Sequence, residues 1–286
     1  MNQQLAPLFG TDAHLPYGHR PAALGKSANE VEVDVYFADA REWDTDAIGR
    51  ASTLLAIPEL ERAKTYYFER DRQSYIAAHA LLRSRLASRL GRPASEVVIG
   101  HTPQGKPELA ELTADSCHFS LSHSGPFVAC AVARSPLGLD VERWRQSPPS
   151  GVPERCLSPA EYSDVMCSPP YARGERFLRY WTLKEAYIKA LGRDLRVPFS
   201  EIEFRLARGS GVQLVRTPSL RDSSTSSSLT SLCFAAFSIP FEEARSRPRA
   251  NHPHPAALAV LTERPIRIRC HSVDRTLSVT NTTSDS

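Results

Sequence analysis

The chain has 286 residues, of which 41% are hydrophobic and 23% charged, and its formal net charge is +3. This length favours one large domain or two of ordinary size, with enough apolar residues for a substantial core. A protein that binds duplex nucleic acid is usually more basic, so the mild charge argues against that class. No stretch approaches the ~20 apolar residues that a membrane-spanning helix needs.

Cysteine usage and the first residues bear on the cellular compartment. The six cysteines form no CxxC pair, and their spacing matches no zinc site. Residues 1–10 lack the charged start and long apolar run of a secretory signal. Unpaired thiols in a reducing cytoplasm are therefore the simplest interpretation.

The first third of the chain predicts an arm, a strand and a long helix. Residues 1–29 show no hydrophobic periodicity and predict a flexible N-terminal arm. The alternation in residues 31–36 predicts a strand. Helical spacing runs from about Pro58 to Leu90, and Gly91 suits a helix end.

Two parts of the chain resemble each other. Leu90-Gly-Arg follows the first predicted long helix and Leu191-Gly-Arg follows a second, and each continues through a proline and Ser-Glu into a strand. Residues 127–132 have a counterpart in residues 257–261. These matches predict two similar α/β halves that meet near Asp140, with a ligand between them. The match is short, so coincidence stays open as the alternative.

Three further segments predict little fixed structure. Residues 219–231 are serine-rich and of low complexity, and they predict a disordered insert. Residues 243–255 are rich in Arg, Pro and His and predict a long loop. Residues 265–286 begin with a short Ile-Arg-Ile-Arg pattern and then become polar, so we expect a mostly mobile tail.

Three acidic side chains stand out by order and spacing. Asp140 and Glu142 lie two residues apart in the predicted strand Gly138-Leu-Asp-Val-Glu142, so they share one face. Glu185 lies on a predicted helix within Trp181-Thr-Leu-Lys-Glu-Ala186. Carboxylates with lysines beside them suit a Mg²⁺ ion that also carries a phosphate ligand. Taken singly, each acid could instead face solvent.

Other polar residues have weaker signals. Lys106 lies in the turn Gln104-Gly-Lys-Pro, and Ser122-His123 ends a predicted hairpin strand, so both could meet a phosphate or simply form turns. Arginines and lysines cluster in residues 62–92, as a solvated helix face or a site for a polyanion. Glu161 follows Ser158-Pro159, where an acid also suits a helix start.

Taken together, these segments resemble the 4′-phosphopantetheinyl transferases of the larger, surfactin-synthetase-activating (Sfp-like) type, in the subgroup with a W-x-x-K-E-A segment. The matching segments are Gly105-Lys-Pro107, Ser122-His123, Gly138-Leu-Asp-Val-Glu142, Ser158-Pro-Ala-Glu-Tyr162 and Trp181-Thr-Leu-Lys-Glu-Ala-Tyr-Ile-Lys189. The resemblance covers roughly residues 31–262. It implies a monomeric α+β fold with a pseudo-twofold repeat, residues 30–136 and 137–264, each half a small mostly antiparallel sheet packed on a long helix.

The resemblance also implies an activity. Such an enzyme uses Mg²⁺ to transfer the 4′-phosphopantetheine arm of coenzyme A to a serine of an apo acyl, peptidyl or aryl carrier protein, and releases adenosine 3′,5′-bisphosphate. Carriers of this kind serve fatty acid, polyketide or nonribosomal peptide biosynthesis. Two alternatives stay open: a non-catalytic homologue that binds coenzyme A or the carrier, and a Mg²⁺-dependent nuclease. The order Lys184-Glu185 on a helix differs from the usual nuclease arrangement.

Site residues follow from the same resemblance. Asp140, Glu142 and Glu185 are implied as Mg²⁺ ligands, Glu161 as the base, and Lys189 as a catalytic lysine at the pyrophosphate. Contacts with coenzyme A are implied for Lys64, Arg72, Arg83, Lys106, Pro107, Ser122, His123, Lys184 and Lys189. A basic rim would favour a carrier that is acidic around its serine.

Overall fold

The computed structural model describes residues 29–111, 117–192, 197–207, 211–218, 231–239 and 254–274. The predicted N-terminal arm falls outside these ranges, except for its last residue. Residues 219–230 of the predicted serine-rich insert, residues 243–253 of the predicted loop and residues 275–286 of the predicted tail also lie outside the described residues.

The first half combines a sheet with a long helix. Its elements are β1 (Val31–Asp39), α1 (Thr45–Ser52), α2 (Ile57–Lys64), α3 (Glu69–Leu90), β2 (Ile99–His101), β3 (Pro107–Leu109), β4 (His118–Ser124) and β5 (Phe127–Ala133). β5 lies between β1 and β4 and runs antiparallel to both, while β2 and β3 form a separate hairpin. One face of the sheet packs on α3, whose buried side includes Ile76, Leu82 and Leu86.

The second half repeats this plan. Its elements are β6 (Leu137–Val141), α4 (Pro153–Cys156), α5 (Pro159–Cys167), α6 (Arg173–Ala190), β7 (Glu203–Leu206), β8 (Val212–Arg216), β9 (Leu232–Ile239) and β10 (His254–Leu261). β10 lies between β6 and β9 and is antiparallel to both, and β7 pairs with β8. α6 packs against β6 and β10.

The internal repeat predicted from sequence is visible in the topology. In each half a strand is followed by a long helix, a short hairpin and two strands, and the first strand pairs with the last. The repeated Leu-Gly-Arg marks the end of each long helix, where Gly91 and Gly192 both adopt a left-handed φ of 64°. The predicted α+β fold is thus confirmed, and the similar order of elements in the two halves agrees with the predicted pseudo-twofold repeat.

The predicted mobile tail is wrong for its first residues. β11 (Ile266–Ser272) pairs in parallel with β1, at the edge of the first sheet. Ile266 and Ile268 pack against the core, and Arg269 binds Asp34 with 2.9 Å between Nε and Oδ1. A short alternating segment becomes a strand here because β1 offers an unpaired edge. The N-terminal sheet thus includes residues 266–272, which were predicted to belong to the tail, and the division of the chain at residue 137 stays a prediction.

The two sheets share one apolar core, which brings the halves together. Val33 and Phe127 of the first sheet and Leu139 and Leu258 of the second belong to one buried cluster. This packing places β4 beside β6, where the two halves meet. Along the described ranges, no helix is both long and apolar enough to cross a lipid bilayer. All six cysteines are free thiols, as the sequence predicted.

Candidate active site

The candidate site forms where α6 approaches β6 unusually closely. A Cβ added to Gly138 would stand 2.0 Å from the carbonyl oxygen of Ala186 and 2.8 Å from Cβ of Lys189. Only glycine permits this approach, because any side chain would push the helix away. The close packing places Lys189 of α6 beside Asp140 of β6.

Asp140 is buried and only partly satisfied. Its Oδ1 accepts hydrogen bonds from Nζ of Lys189 at 2.6 Å and from Oγ of Ser122 at 2.8 Å. Its Oδ2 is buried without a hydrogen-bond partner in the described structure. A buried carboxylate oxygen without a partner is costly, so this atom has unused capacity to bind a cation.

Glu142 is held by two neutral donors. Trp181 donates its indole N–H to Oε1 at 3.1 Å, and Ser124 donates its hydroxyl to Oε2 at 2.6 Å. Burial, and then the negative charge of Asp140, raise the pKa of Glu142 above its ordinary value. Each oxygen of this carboxylate keeps a second lone pair for another ligand.

Glu185 completes the acidic group. Burial and the nearby charge of Asp140 raise the pKa of Glu185 to about 7, while Lys189 opposes the shift. Glu142 adds a smaller repulsion. The three predicted acids therefore lie close enough to repel one another, and a cation between them would relieve that repulsion.

The three carboxylates are ligands of the type that Mg²⁺ prefers, although their oxygen atoms do not converge on one point. Mg²⁺ prefers carboxylate oxygen ligands and usually keeps several waters, so it needs few protein atoms. The unpartnered Oδ2 of Asp140 is one such atom. Nowhere in the described residues do three His, Cys, Asp or Glu side chains stand close enough together to hold a metal ion.

A cavity of about 490 Å³ is lined in part by Lys189, the partner of Asp140. Its apolar wall is formed by Tyr75, Leu82, Ile99, Phe119 and Leu121. Its basic lining is formed by Arg62, His79, Arg83, His101, Lys106 and Lys189, and Glu59 lines it as an acid. Because Lys189 also binds Asp140, this one side chain connects the cavity with the acidic group.

Lys106, Pro107, Ser122 and His123 lie at or near this cavity. Lys106 and Pro107 line it, and the Lys106 ammonium donates to the carbonyls of Leu137 and Ala190 at 3.2 and 3.3 Å. Burial lowers the pKa of Lys106. His123 is exposed at the end of β4. Partial desolvation of its ring, and then the positive charge of Lys189, lower the pKa of His123. Ser122 is buried against Asp140.

Glu161 and Lys184 are not placed to act on a substrate. Their side chains are both 0% exposed and form an ion pair of 2.5 Å. Glu161 also accepts the backbone N–H groups of Ser158 and Phe204, each at 2.8 Å. A carboxylate enclosed in this way has no open path to a serine of another protein, so the geometry gives no support to the prediction of Glu161 as the base.

The geometry likewise gives no support to the prediction that Lys184 contacts coenzyme A. Its ammonium donates to the carbonyls of Cys156 and Phe199 at 2.8 and 2.7 Å. Together with Glu161, these three acceptors use all of its N–H donors. The pair therefore ties α5 and α6 to the turn before β7.

The three basic residues of the early helices that were predicted to contact coenzyme A differ in their exposure and partners. Lys64 and Arg72 are exposed and pair with Glu61 and Glu69 on their own helices, away from the cavity lining. Arg83 lines the cavity but is 4% exposed, and it binds Glu59 through Nε. Its NH1 donates to the carbonyls of Ala94 and Val97. The geometry supports a structural role for Arg83 and gives no support to Lys64 and Arg72.

Sequence reasoning missed several residues of the site. Trp181 was named only as part of a matching segment, yet its indole N–H binds Glu142. Ser124 and His79 were not singled out, although Ser124 contacts Glu142 and His79 lines the cavity. The sequence pattern could have identified Ser124, because serine occupies the alternating positions 120, 122 and 124 of β4.

Comparison with known proteins identifies the family of this chain. Residues 136–240 match the model of the 4′-phosphopantetheinyl transferase superfamily, and residues 42–135 match the model of the 4′-phosphopantetheinyl transferase N-terminal domain. The chain belongs to the 4′-phosphopantetheinyl transferase superfamily.

Curated relatives carry the same family name. The chain is 35% identical over 167 residues to the 4′-phosphopantetheinyl transferase HetI of Nostoc sp., covering 57% of this chain and 70% of HetI. It is 26% identical over 165 residues to the 4′-phosphopantetheinyl transferase Sfp of Bacillus subtilis, covering 58% of this chain and 72% of Sfp. It is 28% identical over 174 residues to a human L-aminoadipate-semialdehyde dehydrogenase-phosphopantetheinyl transferase, covering 55% of this chain and 56% of that protein.

Proposed function

We propose that this enzyme transfers the 4′-phosphopantetheine arm of coenzyme A to a serine hydroxyl of an apo carrier protein. The observation that carries the proposal is the position of Lys189, which lines the cavity and also binds Asp140. A substrate that fills the cavity thus brings its phosphates to the acidic group. The family membership and the names of the relatives support the same reaction.

The cavity suits the nucleotide end of coenzyme A. Its apolar wall can pack against an adenine ring, and its basic side chains other than Arg83 can face phosphate groups. We assign nucleotide contacts to Lys106, Pro107 and Lys189 as the sequence predicted, and add Arg62 and His79. His123, exposed beside the cavity, stays a candidate.

We further propose that Asp140, Glu142 and Glu185 hold Mg²⁺. Bound there, the ion would neutralise the pyrophosphate and favour departure of the bisphosphate. The protein's own part is to fix the acids through hydrogen bonds from Ser122, Ser124 and Trp181. Lys189 adds a positive charge on the cavity side.

The transfer exchanges one phosphorus–oxygen bond for another and involves no change of oxidation state. The serine oxygen attacks the phosphorus that carries the pantetheine arm and loses its proton. The bond from that phosphorus to the bridging oxygen of the pyrophosphate breaks, and adenosine 3′,5′-bisphosphate leaves. Glu161 is enclosed and does not take this proton, so the acceptor must be reached from the open site.

The partner and setting follow as parts of the same proposal. The carrier would be an acyl, peptidyl or aryl carrier protein with acidic residues around its serine. The enzyme would act as a monomer in the cytoplasm, without nucleic acid or membrane.

Intact-mass spectrometry tests the reaction directly. The enzyme is mixed with coenzyme A, Mg²⁺ and an apo carrier, and we expect the carrier to gain one phosphopantetheine arm. The matched control is a carrier with its acceptor serine replaced by alanine, which should stay unmodified.

Two results would overturn the proposal. Binding of coenzyme A without any gain in carrier mass, across acyl, peptidyl and aryl carriers, would favour the non-catalytic homologue. Cleavage of DNA or RNA that needs Mg²⁺ and is lost in Asp140→Asn would favour the nuclease.

A further inference from the structure

A row of serines on β4 joins the two halves at the candidate metal ligands. Ser120, Ser122 and Ser124 alternate along β4 and therefore point to one side, towards β6. Their hydroxyl oxygens accept the backbone N–H groups of Leu139, Val141 and Arg143 at 2.9, 3.2 and 2.9 Å.

These hydroxyls replace a neighbouring strand. β6 pairs with β10 along one edge, and its other edge has N–H groups that a further strand would normally accept. The serine side chains accept them instead. β6 is thus fixed to both halves, to β10 by backbone pairing and to β4 by hydroxyl groups.

Two of the three serines have a second partner. Ser122 donates to Oδ1 of Asp140 at 2.8 Å, and Ser124 donates to Oε2 of Glu142 at 2.6 Å. In each case the acid directly precedes the residue whose N–H the same serine accepts. For Ser120 that preceding residue is Gly138, which has no side chain to bind.

We propose that Ser122 and Ser124 are positioning residues that fix Asp140 and Glu142 for metal binding. This inference rests on the proposed function and its Mg²⁺ site. Each hydroxyl is itself held by a backbone N–H, so its own proton points at one carboxylate oxygen. Because Oδ1 of Asp140 is occupied in this way, Oδ2 is the carboxylate oxygen that is left without a partner.

The assignment changes the role that the resemblance implied for Ser122. Its hydroxyl is buried and already accepts from Val141 and donates to Asp140, and Nζ of Lys189 lies 3.3 Å away. A contact with coenzyme A would have to break one of these bonds. Ser122 therefore acts through the acid, and Ser124 does the same for Glu142.

Single alanine variants separate positioning from simple structural support. Ser124→Ala removes the bond to Glu142, whereas Ser120→Ala is the matched control because it removes the same kind of backbone bond without touching an acid. Mn²⁺ binding to the purified enzyme, followed by electron paramagnetic resonance without substrate, gives a readout independent of turnover.

We expect Ser124→Ala and Ser122→Ala to weaken Mn²⁺ binding about 10- to 100-fold, the range for partners that orient metal ligands. Ser120→Ala should leave Mn²⁺ affinity within about threefold, while lowering the melting temperature as much as Ser124→Ala does. Ser124→Thr, which keeps the hydroxyl, should restore binding.

The outcomes that contradict the inference are specific. Equal Mn²⁺ affinity in wild type and Ser124→Ala overturns it, and so does an equal loss in Ser120→Ala. A wild-type enzyme that modifies carriers without binding Mn²⁺ overturns the inference alone. A wild-type enzyme that binds Mn²⁺ but modifies no carrier overturns only the proposed reaction.

Discussion

Lys189 on α6 and Asp140 on β6 form an ion pair with 2.6 Å between Nζ and Oδ1. The lysine side chain is 30% exposed on the cavity side, whereas the aspartate is 6% exposed. The pair therefore has one member that a substrate can reach and one that the protein encloses. This asymmetry suits a lysine that exchanges its acidic partner for a phosphate.

Replacing Lys189 should impair both binding and turnover. We expect Lys189→Met to lower kcat/KM for coenzyme A about 10²-fold, the loss typical of one removed charge-stabilising group. Lys189→Arg keeps the charge and serves as the control, with a smaller loss. Steady-state kinetics against coenzyme A measures both variants. Wild-type kcat/KM in Lys189→Met would contradict the role of this lysine.

Gly138 should be intolerant of any side chain. In Gly138→Ala the new methyl group would collide with the backbone of α6 at Ala186, so the helix must shift away from Asp140. Overpacking of this kind costs about 1–3 kcal/mol of stability. We expect a lower melting temperature together with a fall in kcat.

Gly49 provides the matched control for that substitution. It lies in the middle of α1, and an added Cβ would meet nothing within 4 Å. Because alanine favours a helix over glycine by about 0.5–1 kcal/mol, Gly49→Ala should stabilise the protein slightly and leave kcat unchanged. Equal behaviour of the two variants in thermal melts and kinetics would argue against the close approach at Gly138.

The buried pair of Glu161 and Lys184 should govern stability and leave the chemistry unaffected. Glu161→Gln leaves the ammonium of Lys184 without its counter-charge, and breaking such a pair costs about 3–5 kcal/mol. We expect a clearly lower melting temperature but a kcat, measured on folded protein at low temperature, within about threefold of wild type. Losing a general base would instead reduce kcat by about 10²–10⁴-fold. A loss of that size without a change in melting temperature would restore Glu161 as the base.

Asp34 should make the attachment of β11 sensitive to acid. Burial would raise the pKa of Asp34, but hydrogen bonds from His271 and Arg269 outweigh it, so the pKa lies below the ordinary value of 3.8. The stability from this lowered pKa is present above that value and is lost as the pH falls through the folded-state pKa. Asp34→Asn should therefore cost about 1–3 kcal/mol at neutral pH, in the range for a hydrogen bond to a charged group.

Urea unfolding at two pH values measures this difference. We expect the gap in unfolding free energy between wild type and Asp34→Asn to shrink when the pH is lowered from 7 to about 3. Glu30→Gln, which removes an exposed partner of Arg267 on the same strand pair, is the control and should show a gap below about 1 kcal/mol. A gap for Asp34→Asn that stays constant with pH would contradict the assignment.

Local sequence patterns predicted the elements of the site well because they depend on near neighbours. The two-residue spacing of Asp140 and Glu142 and the helical position of Glu185 depend on one strand and one helix. The repeated Leu-Gly-Arg correctly indicated two helix ends, and the glycine of each has the same left-handed backbone conformation. Both features are properties of short stretches of chain.

The errors concern burial and partners that are distant in the sequence. Glu161 and Lys184 carry charge, and no local pattern shows that the fold encloses them together. The strand at residues 266–272 exists because β1 offers an edge far away in the sequence. Ser122 was predicted to contact coenzyme A, because its hydrogen bond with the backbone of β6 joins residues that are distant in the sequence and is visible only in the fold.

The return of β11 to the first sheet has a practical consequence for dissecting this enzyme. A fragment that stops at Ala133 would display the bare edge of β1, with Val31, Val33 and Val35 beside it, as a template for self-association. A split version would need the peptide of residues 266–272 added in trans, as a donated strand. The amino-terminal half is thus completed by the last strand that the structure describes, so its sheet can close only after translation has passed residue 272.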